Sequence, residues 1–111
     1  MILKAIIEAL ELRVVAGAKH TDVEVTGGYT ADLLSCAMAG AAAGNLWITL
    51  QSHLNVVAVA SLNELAGVIV TEGRPIAAET ADKAEEEGVV LLQTRLTSYE
   101  VAGRLWALGV Q

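Results

Sequence analysis

The stretch that most constrains the fold of this chain is Leu46 to Asn55, with the sequence LWITLQSHLN. Its first five residues, Leu46 to Leu50, have the composition of a buried strand, and four of the next five side chains are polar. A strand that becomes polar where it leaves the core is typical of a strand that ends at a ligand site. We therefore expect this strand to lie inside the fold and its end to border a candidate site.

The same region resembles a membrane span in one respect, because no Asp, Glu, Lys or Arg occurs between Asp32 and Glu64. However, its first half is rich in Ala and Gly, and its second half contains Gln, Ser, His and Asn. No window of about 20 residues is strongly apolar throughout, as a transmembrane helix requires. We interpret the segment as a buried strand between two helices and expect no membrane contact.

Strands and helices alternate along the last two-thirds of the chain. Val68 to Val70 and Val89 to Leu92 are short and apolar on both faces, as strands of a parallel sheet are. Helices are predicted from the Thr30 N-cap to the Gly44-Asn45 pair, from Val56 to Leu65, from Ala78 to Glu87, and from Ser98 to Leu108. This alternation predicts an α/β fold with three α/β/α layers and a mostly parallel central sheet, in which Val68 to Val70 is central.

The first third of the chain is predicted to contain a short amphipathic helix and two strands. Leu3 to Leu10 has apolar residues at helical spacing. Leu12 to Val15 and Val23 to Thr26 are predicted strands, and the second is expected to stop at Gly27-Gly28. We expect Gly28 to adopt a backbone conformation that a β-branched residue resists, because it would form the turn before the next helix.

Composition limits the class of protein. The 111 residues are 54% hydrophobic, which excludes a disordered chain and predicts a single domain over residues 1–111. A net charge of −6 with only seven Lys and Arg argues against a nucleic-acid partner. The single Cys36 cannot form an intramolecular disulfide, and we expect it to be buried and unreactive. The first residues lack a signal-peptide pattern, so the expected location is the cytoplasm.

Ligands of open parallel sheets bind outside the carboxyl ends of the strands, where helix N-termini favour anions. Several predicted strand ends are followed by Gly, hydroxyl or hydrogen-bonding side chains. Each of these also has an ordinary interpretation as a turn, a helix cap or a hydrogen-bonded structural residue. The candidate ligand-binding residues are Gly27, Gly28, Asp32, Gln51, His53, Thr71, Gly73, Arg74, Thr97 and Ser98.

The sequence shows no pattern typical of catalysis. Ser35 and Ser52 lack an evident Asp and His relay, and no Cys or second His lies at metal-ligand spacing from His53. We therefore predict no catalytic residues, no metal and no cofactor, and a protein that is not an enzyme.

The chain resembles the DRTGG domain in four segments that follow the same order: GGYTADLLS (27–35), VIVTEGRP (68–75), AEEEGVVLLQT (84–94) and TSYEVAGRL (97–105). That domain is similar to the N-terminal domain of HPr kinase and to a regulatory segment of some phosphotransacetylases, and it occurs between CBS domains in some pyrophosphatases. The resemblance implies an α/β/α regulatory module that dimerises and, in some contexts, responds to adenine nucleotides. The chain departs from the family pattern at Gly27-Gly28-Tyr29, where the family often has Gly-Asp-Arg, and at Thr71-Glu72-Gly73, where it has Thr-Gly-Gly.

Two functions are compatible with these patterns. The first is a non-catalytic regulatory module that binds a small anionic ligand, such as an adenine nucleotide, at the carboxyl edge of the sheet. The alternative is a ligand-free homodimeric protein-interaction module, and the small residues from Ala37 to Ala43 predict a dimer contact. An open crevice lined by Gln51, His53 and Thr71 would favour the first function, and a filled crevice would favour the second.

Overall fold

Ten main elements and a short 3₁₀ helix make up the fold in a computed structural model that describes residues 1–111. The helices are α1 (Leu3–Leu10), α2 (Leu34–Gly40), α3 (Asn55–Leu62), α4 (Ala78–Glu87) and α5 (Ser98–Ala107). The strands are β1 (Arg13–Ala16), β2 (Gly27–Thr30), β3 (Asn45–Thr49), β4 (Gly67–Val70) and β5 (Leu91–Gln93). The 3₁₀ helix, Ala18–His20, follows β1.

One five-stranded sheet lies at the centre, with strand order β1-β5-β4-β3-β2. β2, β3, β4 and β5 are parallel, and β1 pairs with β5 in the antiparallel direction. β4 is the middle strand and is buried along its whole length, as predicted for Val68 to Val70. The sheet is therefore mostly parallel, and the predicted three-layer α/β/α fold class is confirmed.

Neighbouring residues of each strand point to opposite faces of the sheet and so supply two separate cores. On one face, Leu46 and Ile48 pack with side chains of α1 and α5. On the other face, Trp47 packs with side chains of α2, α3 and α4. The Trp47 ring is fully buried, and its Nε1 donates a hydrogen bond of 2.8 Å to the carbonyl of Ala31. Residues Leu46 to Thr49 are thus buried on both faces of the sheet. No helix of the protein is long and apolar enough to cross a bilayer.

The predicted strand from Val23 to Thr26 is wrong. The strand β2 begins at Gly27, and Glu24 makes only an isolated bridge with Ile2. The register of β2 on β3 explains the difference, because it places Tyr29 beside Trp47 in the parallel ladder. The Tyr29 ring also packs on the small residues of α2, and its hydroxyl donates to the carbonyl of Cys36 at 3.1 Å. Packing against β3 and α2 therefore overrides the low strand propensity of two glycines.

The expected special backbone of Gly28 is also wrong. Its φ is not positive, since it is an ordinary strand residue paired with Leu46. A Cβ at this position would meet only the backbone oxygen of Leu46, at 3.9 Å. The glycine that does require its conformation is Gly17, with φ of 79° and an ideal Cβ only 2.5 Å from the carbonyl oxygen of Val89.

Helix α2 is shorter at both ends than predicted. Thr30 is the last residue of β2 rather than an N-cap, and α2 ends at Gly40, before the Gly44-Asn45 pair. The amide of Asn63 donates to three carbonyl oxygens near the end of the helix, those of Ala37, Met38 and Ala41, at 3.2, 2.9 and 3.0 Å. The carbonyl of Ala37 also accepts the backbone N–H of Ala41, whereas the bonds from Asn63 satisfy the carbonyls of Met38 and Ala41 where the chain leaves the helix. On the short helix Cys36 is exposed, contrary to the expected burial.

The remaining elements agree with the prediction to within a few residues. α4 matches it at both ends, and Gly88 ends the helix with a φ of 72°. α3 ends at Leu62 instead of Leu65, and β5 begins at Leu91 instead of Val89.

Candidate functional site at the carboxyl edge of the sheet

The carboxyl ends of β2, β3, β4 and β5 lie at the same edge of the sheet because these strands are parallel. β1 runs the other way and therefore brings its amino end, Arg13, to this edge beside Gln93. The candidate residues separate here into two groups, one after β3 and one after β4 and β5. Gly27 and Gly28 belong to neither, because they pair with Asn45 and Leu46 at the opposite, amino end of the sheet. Their predicted position after a strand end is wrong.

Asp32 connects the loop after β2 to the end of β3. One carboxylate oxygen accepts hydrogen bonds from the backbone N–H of Leu50 at 2.8 Å and from the hydroxyl of Thr49 at 3.2 Å. The Thr49 hydroxyl in turn accepts the backbone N–H of Gln51 at 3.0 Å. These bonds hold the turn after β3, so this oxygen of Asp32 has a structural role.

His53 is exposed in the turn before α3. Its Nδ1 accepts the backbone N–H of Asn55 at 3.3 Å, a local bond that orients the ring at the start of the helix. His53, Gln51 and Thr71 line none of the four main cavities of the protein. The open crevice at the edge is therefore not formed by the three residues named for it, and a ligand role for His53 and Gln51 stays a prediction.

Thr71 and Ser98 join the turns after β4 and β5. Their hydroxyl oxygens are 2.7 Å apart, and the Thr71 hydroxyl also donates a weak bond of 3.4 Å to the carbonyl of Thr49. Thr71 is fully buried, and no buried side-chain oxygen or nitrogen lacks a hydrogen-bond partner. The buried polar side chains of the edge are thus satisfied by the protein itself and need no ligand for this purpose.

Thr97 begins α5 with the predicted capping box. Its hydroxyl accepts the backbone N–H of Glu100 at 3.1 Å, and the Glu100 carboxylate accepts the backbone N–H of Thr97 at 3.1 Å. The backbone bond from Thr97 is the main cause that lowers the pKa of Glu100, followed by the Thr97 hydroxyl; the charge of Arg104 also lowers it. The Glu100 carboxylate is therefore occupied at the helix start.

The main cavity at this edge lies between the turn after β4, the turn after β5, helix α5 and the junction of α1 with β1. It is open to solvent and has a volume of about 750 Å³. Gly73 is the one predicted site residue in its lining, and it adopts a positive φ of 64°. Arg74 is adjacent, since its carbonyl accepts a bond of 2.6 Å from the side chain of Gln93. The lining residues are Leu10, Glu11, Arg13, Gly73, Gln93, Thr94, Arg95, Leu96, Glu100 and Arg104.

Sequence reasoning missed three arginines of this cavity, Arg13, Arg95 and Arg104. Arg13 is far from the other two in the chain, and only the order of the strands brings β1 beside β5. One signal was present, because Arg95 follows the end of β5 even more closely than Gly73 follows the end of β4. Reading the last turn for basic residues as well as for hydroxyls would have found it.

No protein-family model matches this chain, and no curated protein sequence matches it. Among solved structures, the chain is similar to the CBS and DRTGG domains of the regulatory region of Clostridium perfringens pyrophosphatase, crystallised with the activator diadenosine tetraphosphate. The TM-score is 0.75 at 16% identity, and the match covers 91% of this chain and 44% of that chain. This chain therefore spans less than half of the regulatory region, and the two share a related fold.

Proposed function

We propose that this chain is a DRTGG-like regulatory module without chemistry of its own, which binds a small anionic ligand such as an adenine nucleotide at the carboxyl edge of its sheet. The observation that carries the proposal is the open cavity at this edge, with three arginines in its lining. Its volume of about 750 Å³ falls in the range typical of small-molecule sites. The related fold of a regulatory region crystallised with a nucleotide activator supports the same function.

Several polar side chains at this edge are hydrogen-bonded to other groups of the protein, which favours a binding role over a catalytic one. The hydroxyls of Thr71 and Ser98 bond to each other, and Asp32 bonds to the turn after β3. The cavity contains no Ser, Cys or His that could act as a nucleophile or base. Its three guanidinium groups stay protonated and are therefore suited to holding an anion rather than to transferring a proton.

A thermal-shift panel with AMP, ADP, ATP and diadenosine tetraphosphate tests this function. A ligand that binds only the folded state must raise the melting temperature, and at a concentration of 100 times Kd it stabilises by about 2.7 kcal/mol. We expect at least one of these compounds to do so and to shift the backbone NMR signals of Gly73 and Arg95. No change in melting temperature with any of them, together with an unchanged NMR spectrum, would refute a nucleotide-binding role.

The alternative, a homodimeric interaction module, is favoured by a different observation. β2 is an edge strand of the sheet, and the large side chains Trp106 and Met38 are 63% and 50% exposed. An edge strand beside exposed apolar residues can pair with a second chain. Light scattering tests this: a dimer that Met38→Glu or Trp106→Glu converts to a monomer supports the alternative, and a monomer at all concentrations refutes it.

The predicted contact through residues 37–43 can be tested in the same experiment. Ala41 is buried beyond the end of α2, so Ala41→Glu is expected to destabilise the monomer whether or not a dimer forms. Ala42 is exposed, and Ala42→Glu is therefore the informative substitution. An unchanged mass with Ala42→Glu would remove this segment from any interface.

A further inference from the structure

We infer that the cavity at the carboxyl edge recognises linked phosphate groups and not the base of a nucleotide, so that inorganic pyrophosphate is a sufficient ligand. This inference rests on the proposed function, and it specifies which part of the ligand the protein binds. It is drawn from three features of the cavity: the number of arginines, their lack of ion pairs, and the composition of the remaining lining.

Three of the four arginines of the chain, Arg13, Arg95 and Arg104, line the cavity. The fourth, Arg74, lies beside it, because its backbone carbonyl accepts a bond from the side chain of Gln93 in the lining. The four arginines come from β1, the turn after β5, α5 and the turn after β4, so four separate parts of the fold contribute them. In a protein with a net charge of −6, this produces a local concentration of positive charge against the overall balance.

None of these arginines is neutralised by a carboxylate. The ion pairs of the protein join the N-terminal amine to Glu24, and Lys83 to Glu86 and to Glu87. Arg13 donates instead to the neutral side-chain oxygen of Gln93, at 3.0 Å. Two acidic residues do line the cavity, Glu11 and Glu100. The charge of Arg104 acts on Glu100, but neither carboxylate forms an ion pair with an arginine, so an added anion need not displace one from a guanidinium group.

Arginine is the side chain best suited to phosphate, because its planar guanidinium can donate two parallel hydrogen bonds to phosphate oxygens. A phosphate monoester carries a charge of about −1.5 to −2 at neutral pH. Glu11 and Glu100 leave the lining with a net charge of only +1, but the three guanidinium groups come from three separate parts of the fold and can donate to more than one phosphate group. The cavity therefore fits two or more linked phosphates better than a single one.

The rest of the lining argues against recognition of a base. Nucleic-acid bases are held mainly by stacking on aromatic rings and by apolar contacts. Only Leu10 and Leu96 of the ten lining residues are hydrophobic, and no aromatic residue is among them. A base attached to the phosphates would therefore remain largely in solvent and add little to the affinity.

Isothermal titration of the full chain with three probes tests this inference: inorganic pyrophosphate, ATP and adenosine. We expect pyrophosphate and ATP to bind with similar affinity and adenosine not to bind. Added salt should weaken both interactions, because the arginines are exposed to solvent and their charges are screened.

Arg95→Gln is the principal variant, and Lys19→Gln is its matched control. Both substitutions remove one positive charge from an exposed side chain, but Lys19 lies in the 3₁₀ helix and does not line the cavity. Loss of charge-assisted hydrogen bonds should weaken pyrophosphate binding by roughly tenfold or more in Arg95→Gln. Lys19→Gln should leave it unchanged. Urea melts check the folding of each variant, and Arg104→Gln replaces Arg95→Gln if the latter is unfolded.

The outcomes separate this inference from the function on which it rests. Binding of ATP and adenosine without binding of pyrophosphate would refute phosphate recognition and leave a nucleotide site in place. An equal loss of affinity in Arg95→Gln and Lys19→Gln would also refute it, because net charge rather than the cavity would then govern binding. The absence of binding by all three probes would overturn both proposals.

Discussion

The cavity lined by Arg13, Arg95 and Arg104, called the arginine cavity below, is bordered by two turns that the bond between the hydroxyls of Thr71 and Ser98 connects. The strength of this bond can be measured. The oxygens are 2.7 Å apart, the usual distance for a hydroxyl–hydroxyl bond. The 3.4 Å contact from Thr71 to the carbonyl of Thr49 is longer than such bonds normally are. Thr71 is fully buried and Ser98 is half-buried, so the two ends of the bond should respond differently to removal of the partner.

Ser98→Ala leaves the buried Thr71 hydroxyl with only the long contact and should cost about 1–3 kcal/mol of unfolding free energy. Thr71→Val preserves the shape of the buried side chain, and Ser98 can turn to water, so the cost should be at the low end, about 1 kcal/mol. The double variant should cost less than the sum of the two, with a coupling energy of about 1 kcal/mol. These values follow if the hydroxyls bond mainly to each other.

Urea denaturation of the four proteins of this double-mutant cycle gives the coupling energy directly. Additive effects of the two substitutions would refute the bond as the main partner of both hydroxyls. The same four proteins also test the predicted ligand role of Thr71 and Ser98. If either hydroxyl contacts pyrophosphate, its removal must lower the affinity as well as the stability.

Three further predictions concern single positions. Gly17→Ala should destabilise the protein by at least about 1 kcal/mol, because the φ of Gly17 is positive and the new Cβ would overlap a backbone oxygen. Gly28→Ala should be nearly neutral. Thermal melts compare the two variants, and equal losses of stability would contradict the reasoning. The lowered pKa of Glu100 stabilises the folded state above the unfolded pKa, and this contribution should vanish as the pH falls through the folded pKa. Glu100→Gln should therefore reduce the pH dependence of stability in mild acid, and an unchanged dependence would contradict it. Cys36 should react with a thiol reagent in the folded state, since it is exposed; protection until unfolding would show that this surface is covered.

The parts of the fold that could be predicted are those in which local signals agree with the tertiary structure. The C-terminal end of α4 and the start of α5 have explicit signals, namely Gly88, with its positive φ, and the capping box of Thr97 and Glu100. The central strand Val68 to Val70 was predictable because a short run that is apolar on both faces fits only a covered strand. The strand β2 was not predictable, because its conformation depends on the tertiary contacts of Tyr29 with β3 and α2.

The candidate site was predictable in its position and not in its chemistry. The carboxyl edge follows from the parallel alternation of strands and helices; Gly73 lines the cavity there, and Arg74 lies next to it. Arg13 was not predictable, because it precedes a strand instead of following one and reaches the edge only through the antiparallel direction of β1. His53 is isolated among uncharged residues in the sequence, and in the structure it is exposed and bonded to its own turn; its ligand role stays a prediction.

Arg13 and Gln93 are bonded across eighty residues of chain. β1 is the first strand of this sequence, yet its neighbour β5 is the last strand to be synthesised. Contacts of such long range close late in folding, because they incur the entropy of a large loop. We therefore expect the arginine cavity to be absent from partly folded chains, even from those in which β2, β3 and β4 have already formed. An anion that requires Arg13 recognises the finished fold alone and should slow unfolding without accelerating folding.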